Sequence, residues 1–170
     1  MQARTGLSVA MTEVRIRQIT PQDRDWVLDQ HRIIYMDGHG FDQSFAILVA
    51  EIVDGFFARH DAEGERGWIA EDDGVPLGAV FCTKIDETTA QLRLFFLVPE
   101  ARGQGVGRAL MNTLLRFAEK AGYAEVHLWT HQSHEAACRL YKASGWRLVD
   151  EKPHQSFGKQ EVVESYVYTL

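Results

Sequence analysis

A chain of 170 residues, 45% hydrophobic and 25% charged, has the length and balance of one soluble globular domain. Its net charge of −6, with no Lys/Arg cluster to offset it, argues against a nucleic-acid surface. No apolar run approaches the roughly 20 residues of a membrane-spanning helix, and Cys82 and Cys138 form no metal or disulfide pattern.

Residues 1–11 have no apolar segment of the secretory type and are expected to form a flexible extension. A single domain over residues 12–170, in the cytoplasm, is the matching expectation. Residues 14–19 alternate apolar and polar, as a half-buried strand does. Thr20-Pro21 supplies a cap and a first-turn proline, predicting a helix to about Tyr35 that Gly38-His39-Gly40 breaks. A second helix follows, with Phe45, Leu48, Val49, Ile52, Val53 and Phe56 on one face. Residues 68–70 and 76–85 read as strands joined by an Asp72-Asp73-Gly74 turn, and residues 91–98 as the next strand.

The run Val98-Pro99-Glu100-Ala101-Arg102-Gly103-Gln104-Gly105-Val106-Gly107-Arg108 then joins that strand to a helix over residues 109–121. A helix N-terminus presents unpaired N–H groups and a partial positive charge. Glycines there let the backbone approach a phosphate closely. The dinucleotide pattern G-x-G-x-x-G fails, because the sixth position is Arg108 counted from Gly103 and Leu110 counted from Gly105. No Gly-Lys-Ser or Gly-Lys-Thr occurs, which excludes the P-loop. What fits is R-x-x-G-x-G, from Arg102 through Gly105 to Gly107.

The next helix places Val106, Leu110, Leu114, Phe117 and Ala121 on its buried face and ends at Gly122. A strand over 125–130, a helix over 135–143 closed by Gly145, and strands over 146–149 and 162–170 complete the chain. The order β-α-α-β-β-β-α-β-α-β-β has no internal repeat and predicts an α/β or α+β domain with a mixed sheet.

The R-x-x-G-x-G loop after a strand resembles the acetyl-CoA pyrophosphate loop of the GNAT N-acetyltransferases. Glu135-Ala136-Ala137-Cys138-Arg139-Leu140-Tyr141-Lys142-Ala143-Ser144-Gly145-Trp146 resembles the family's A-x-x-L-Y-x-x-x-G-F element, with Trp146 for the usual Phe. The likeness covers about residues 14–170 and implies a mixed, mostly antiparallel sheet of about seven strands flanked by about four helices. Leu128-Trp129-Thr130, Pro153-His154-Gln155-Ser156-Phe157-Gly158-Lys159 and His31 with Tyr35 look most like the acetyltransferase half of MarR-type regulator–GNAT fusions. Fewer than 15 residues precede the first strand, so no transcriptional role is carried over.

The resemblance implies that Arg102 and the amides of Gly103, Gln104, Gly105, Val106 and Gly107 hold the pyrophosphate of acetyl-CoA, with Arg108 in reach. It implies pantetheine pairing at the backbone of Leu97 and Val98, close passage of the cofactor at Ala137, and Tyr141 as the acid that protonates the leaving thiolate. A phenol, with a pKa near 10, suits that role. Residues 91–97 carry no Asp or Glu, so the base is another residue, a water chain or solvent. His31, His39 and His154 have suitable ordinary pKa values; His127 is given no role. Substrate contacts are expected from His31, Tyr35, His39, Phe41 and His154, with Asp37 and Asp42 available to an ammonium. The expected reaction is acetyl transfer in a ternary complex, by direct attack of a primary amine of a small molecule, amino acid or peptide on the acetyl thioester. No metal, nucleic acid or membrane enters it, and a homodimer stays open. A non-catalytic acyl-CoA-binding sensor is the alternative.

Overall fold

The computed structural model describes residues 13–170, so the extension expected at 1–11 lies outside the described residues. Strands β1 (Val14–Gln18), β2 (Arg66–Asp72), β3 (Val75–Lys84), β4 (Thr89–Leu97), β5 (Glu125–His131), β6 (Arg147–Ser156) and β7 (Lys159–Thr169) form one sheet. Their order is β1-β2-β3-β4-β5-β7-β6, antiparallel throughout except for the parallel β4–β5 pair. The helices are α1 (Arg24–His31), α2 (Gln43–Arg59), α3 (Val106–Lys120) and α4 (Glu135–Ala143). This is the mixed, mostly antiparallel architecture that the sequence implies.

Strand alternation divides the core in two. In β2 and β3, Trp68, Ala70, Val80 and Cys82 pack with Leu110, Met111 and Leu114 of α3 and with Tyr141 of α4. Ile69, Ala79 and Phe81 face the other way, onto Val27 of α1 and Phe45, Val49 and Val53 of α2. Both faces of β3 are therefore buried, and its middle reads as a continuous apolar run.

Several element details differ from the expected ones. The helix after Thr20 opens with a 3₁₀ turn (Pro21–Asp23) and closes with a π-helical turn (Arg32–Asp37) that carries Tyr35. On α2 the buried stripe is Phe45, Val49 and Val53 at i, i+4, i+8, and Leu48 turns past the contact to 38% exposure. On α3 the buried face takes in Met111, Leu115 and Ala118, while Ala121 is exposed because the helix stops at Lys120 and Gly122 (φ +93) redirects the chain. Strand β6 runs on to Ser156, paired to β7 through a Phe157-Gly158 turn with both φ values positive. It carries no apolar alternation because it is an edge strand, exposed from Arg147 to Gln155.

Two features of β4 prepare a site. Leu94 sits at φ +49 where β4 bulges against β3, between the pairs Phe81↔Arg93 and Ala79↔Phe96. Beyond it, β4 parts from β5, because their pairing covers only Thr89↔Glu125, Ala90↔Val126 and Gln91↔His127. From there β4 follows β3 and β5 follows β7, which leaves a gap in the sheet.

Candidate active site

The gap opens into a cleft of about 500 Å³. Its walls come from Phe95, Phe96 and Leu97 of β4, from the glycine loop, from the start of α4, and from Ile34, Tyr35 and His39.

The loop wall is built for a close approach. Gly103 and Gly105 adopt φ +73 and +80, and a Cβ at either would meet nothing within 4 Å, so their backbone faces open space. The first hydrogen bond of α3 in this turn runs from the Ala109 N–H to the Gly105 carbonyl, so the N–H groups before it precede the helical ladder. Its first turn holds no acidic residue. Arg102, Gly103, Gly105, Val106, Gly107 and Arg108 line the cleft. Gln104 does not: its side chain donates to the Glu100 carbonyl at 2.9 Å. Gly107 has a packing reason, since a Cβ there would crowd Phe95, Leu97 and Leu140 at 3.2–3.4 Å.

At the end of β4 the backbone separates two expected contacts. The Val98 N–H donates to the Leu77 carbonyl at 2.8 Å, and its own carbonyl accepts from Ala101 at 3.0 Å. Both polar groups of Val98 are engaged inside the fold. Leu97 pairs opposite Gly78 at a position without direct hydrogen bonds, so its N–H and carbonyl turn away from β3 toward the gap. Arg102 Nη2 lies 3.5 Å from the Leu97 carbonyl.

Tyr141 lies in α4 and is only 3% exposed. Its ring packs among Phe95, Trp146 and Tyr166 at 5.7–6.2 Å. Its α4 neighbours Ala137 and Leu140 line the cleft, whereas Tyr141 stands in the core beside them. Burial holds its phenol well above the usual range, and the nearby Tyr35 phenol adds to the effect. Burial likewise pushes Tyr35 up to about 12, and its hydroxyl donates to the Phe95 carbonyl at 3.4 Å.

The remaining expected substrate contacts divide. Tyr35 and His39 line the cleft. His31 does not; it is 2% exposed, its Nδ1 lies 2.7 Å from the Val27 carbonyl, and burial pushes its pKa down to about 4. Phe41 is 4% exposed and packs against Phe45 and Phe157, beneath the lining. His154 sits on the exposed strand β6, with Nδ1 2.8 Å from Ser156 Oγ. Asp37 pairs with Arg32 at 3.1 Å and Asp42 caps α2 by accepting the Ser44 N–H at 3.0 Å; neither lines the cleft.

Two residues absent from the sequence expectations stand here. His134 lines the cleft at the head of α4, with ring centroids 4.7 Å from His39 and 4.9 Å from Tyr35, and His131 lies 5.3 Å away. The signal was Ser133-His134-Glu135 directly before a helix, where a cap and a site residue are both at home. Burial first, then nearby charge, pushes His134 down to about 3 and also lowers His39 and His131.

Comparison with known proteins follows the same lines. The model of the Acetyltransferase (GNAT) family matches residues 24–146. Human N-acetyltransferase 8B is 38% identical over 99 residues, 55% of this chain and 42% of that protein. The uncharacterized N-acetyltransferase MJ1207 of Methanocaldococcus jannaschii is 29% identical over 148 residues, 77% of this chain and 59% of that one. The chain thus spans about half the length of the curated relatives it matches. The Salmonella typhimurium protein yncA, solved with its cofactor acetyl-CoA, superposes with a TM-score of 0.77 at 17% identity over 92% of this chain and 94% of its own. A GCN5-related N-acetyltransferase from Kribbella flavida gives 0.73 at 20% identity over 92% and 98%. At those identities the structural likeness speaks for the fold.

Proposed function

The chain belongs to the GNAT family of acetyltransferases, and from that membership we propose that it binds acetyl-CoA in the β4–β5 cleft and acts as an N-acetyltransferase on a primary amine. The carrying observation is the parting of β4 and β5 beside a glycine loop whose backbone faces open space. An extended cofactor arm can lie there as an added strand, taking hydrogen bonds from main chain that the sheet leaves unused. Among the relatives, acetyl-CoA is named for yncA; here the fit rests on this chain's own residues.

Those residues fit in four ways. Arg102, Arg108 and the amides at 103–107 suit a pyrophosphate at the start of α3. The N–H of Leu97, which β3 leaves unused, and its carbonyl, which only the exposed Arg102 guanidinium reaches at 3.5 Å, suit an amide-bearing arm. Ala137 leaves room beside it. When bound, acetyl-CoA supplies the acyl thioester. Tyr141 keeps its phenol proton throughout the physiological range and is the group assigned to protonate the departing sulfur. No carboxylate on β4 takes the proton of the amine, so the amine becomes neutral by another route.

A nearer kinship with the acetyltransferase half of MarR-type regulator fusions rests on sequence segments alone. His154, part of one of them, stands on exposed β6, away from the cleft.

A thiol-release assay across small amines, amino acids and peptides tests the proposal. The expected result is CoA release that depends on both amine and enzyme. Calorimetric binding of acetyl-CoA with no acetyl transfer to any amine would instead make the chain a non-catalytic acyl-CoA sensor.

A further inference from the structure

The cleft wall that faces the glycine loop is tied from the far end of the chain. Lys159, the first residue of β7, donates from Nζ to the His39 carbonyl at 2.6 Å, across 120 residues of sequence. Its stem passes over Gly40, where a Cβ would meet the Lys159 Cδ at 4.0 Å. His39 lines the cleft, with ring centroids 4.7 Å from His134 and 5.8 Å from Tyr35. Lys159 does not line it. We infer that Lys159 is a positioning residue for acetyl transfer: by holding the His39 carbonyl it fixes the His39 ring on the wall left to the acceptor amine. This rests on the acetyl-transfer reading above and adds to it a residue from outside the cleft.

The local hydrogen bonds show what the lysine adds. The peptide between His39 and Gly40 is held at both ends, its N–H by the Met36 carbonyl at 3.0 Å and its carbonyl by Lys159. Among the described residues no main-chain N–H of a turn or loop ends on that carbonyl. The turn before Lys159 is anchored independently. Asp42 N–H donates to the Phe157 carbonyl at 3.0 Å, and the Phe157 ring packs on Phe41 and Phe45 at 5.1 and 5.0 Å. Removing the ammonium therefore loosens His39 without releasing the turn.

The same ammonium acts on the ring through its charge. Burial does most to lower the pKa of His39 below 6.5; Lys159 lowers it further, Glu161 opposes, and Arg102 adds a smaller lowering. His134, on α4, and Tyr35, in the π-helical turn, stand beside the ring uncharged at neutral pH, since burial takes them to about 3 and about 12. A neutral His39 ring offers the acceptor one lone pair and one N–H.

Lys159→Met removes charge and donor at similar length, whereas Lys159→Arg keeps both. The probe is the amine of the panel above that the wild-type chain acetylates fastest. In Lys159→Met its KM should rise about tenfold, with kcat within about twofold and the Kd for acetyl-CoA unchanged. Lys159→Arg should recover most of that loss. Ring-proton NMR without any substrate, with His39 assigned from His39→Gln, should show His39 titrating closer to 6.5 in Lys159→Met and as in wild type in Lys159→Arg. An unchanged KM, an unmoved His39 titration, or a Lys159→Arg enzyme no better than Lys159→Met would overturn the inference while leaving acetyl transfer standing. So would a loss in Lys159→Met that falls on kcat and thermal stability together. No transfer to any amine by a wild-type chain that binds acetyl-CoA would overturn both.

Discussion

The loop wall of the cleft comes from one stretch of chain, residues 97–108, and is made mostly of backbone: two glycines at positive φ, the start of α3 and the unpaired edge of Leu97. The facing wall is made of side chains from two places, with Tyr35 and His39 after α1 and His134 at the head of α4, and His131 at the end of β5 packs against His134. The first wall is open and bears guanidinium charge; the second is aromatic, and burial lowers the pKa of its imidazoles. The contrast teaches that the two halves of one site answer to different variables. Salt and backbone substitutions act on the loop wall, whereas pH acts on the facing one.

The largest expected effect falls just behind the cleft, in the core beside Ala137 and Leu140. Tyr141→Phe removes the phenol proton and should lower kcat by about 100-fold or more, with the Kd for acetyl-CoA unchanged. A fall confined to Kd would move Tyr141 from the chemistry to the packing beside Ala137 and Leu140.

Next comes acid sensitivity beneath the aromatic wall. His31 packs against Tyr35 and Phe96, and burial lowers its pKa from 6.5 to about 4, against a smaller opposing effect of the Val27 carbonyl. The folded state therefore binds this proton more weakly than the unfolded chain. The stability it contributes is present above pH 6.5 and is lost as pH falls toward 4, about 3 kcal/mol in all. Urea unfolding followed from pH 7 to 4 should show that slope, and His31→Gln should flatten it.

The smallest effect belongs to the loop wall. Arg102 is exposed, so Arg102→Ala should leave stability within about 0.5 kcal/mol. It should weaken acetyl-CoA about tenfold and make the remaining affinity less sensitive to salt. Titration at two ionic strengths would separate it from changes on the aromatic wall, where salt should matter little.

The same contrast explains what could be read from the chain. Glycine spacing from Arg102 to Gly107 is a local signal, and the loop conforms to it because only local backbone geometry is needed. The seven strands were readable where apolar alternation or a turn pair such as Asp73-Gly74 marks them. Strand β6 is legible only at residues 146–149, because its exposure removes that alternation. Sequence alone does not separate His134 from His31 and His154, because histidines look alike until the fold brings Tyr35, His39 and His134 to one cleft, buries His31 and leaves His154 on an edge. Val98 and Leu97 are adjacent in sequence, yet only the sheet register decides which has main-chain groups to spare.

That register supplies the most direct test of a donor lying along β4. Leu97→Pro deletes an N–H that β3 does not use and that faces the gap, so the sheet keeps its ladder. Acetyl-CoA titrated calorimetrically into this variant should bind at least about tenfold more weakly, with the far-ultraviolet circular dichroism unchanged. An unchanged Kd in a folded Leu97→Pro protein would place the cofactor arm somewhere other than the gap between β4 and β5.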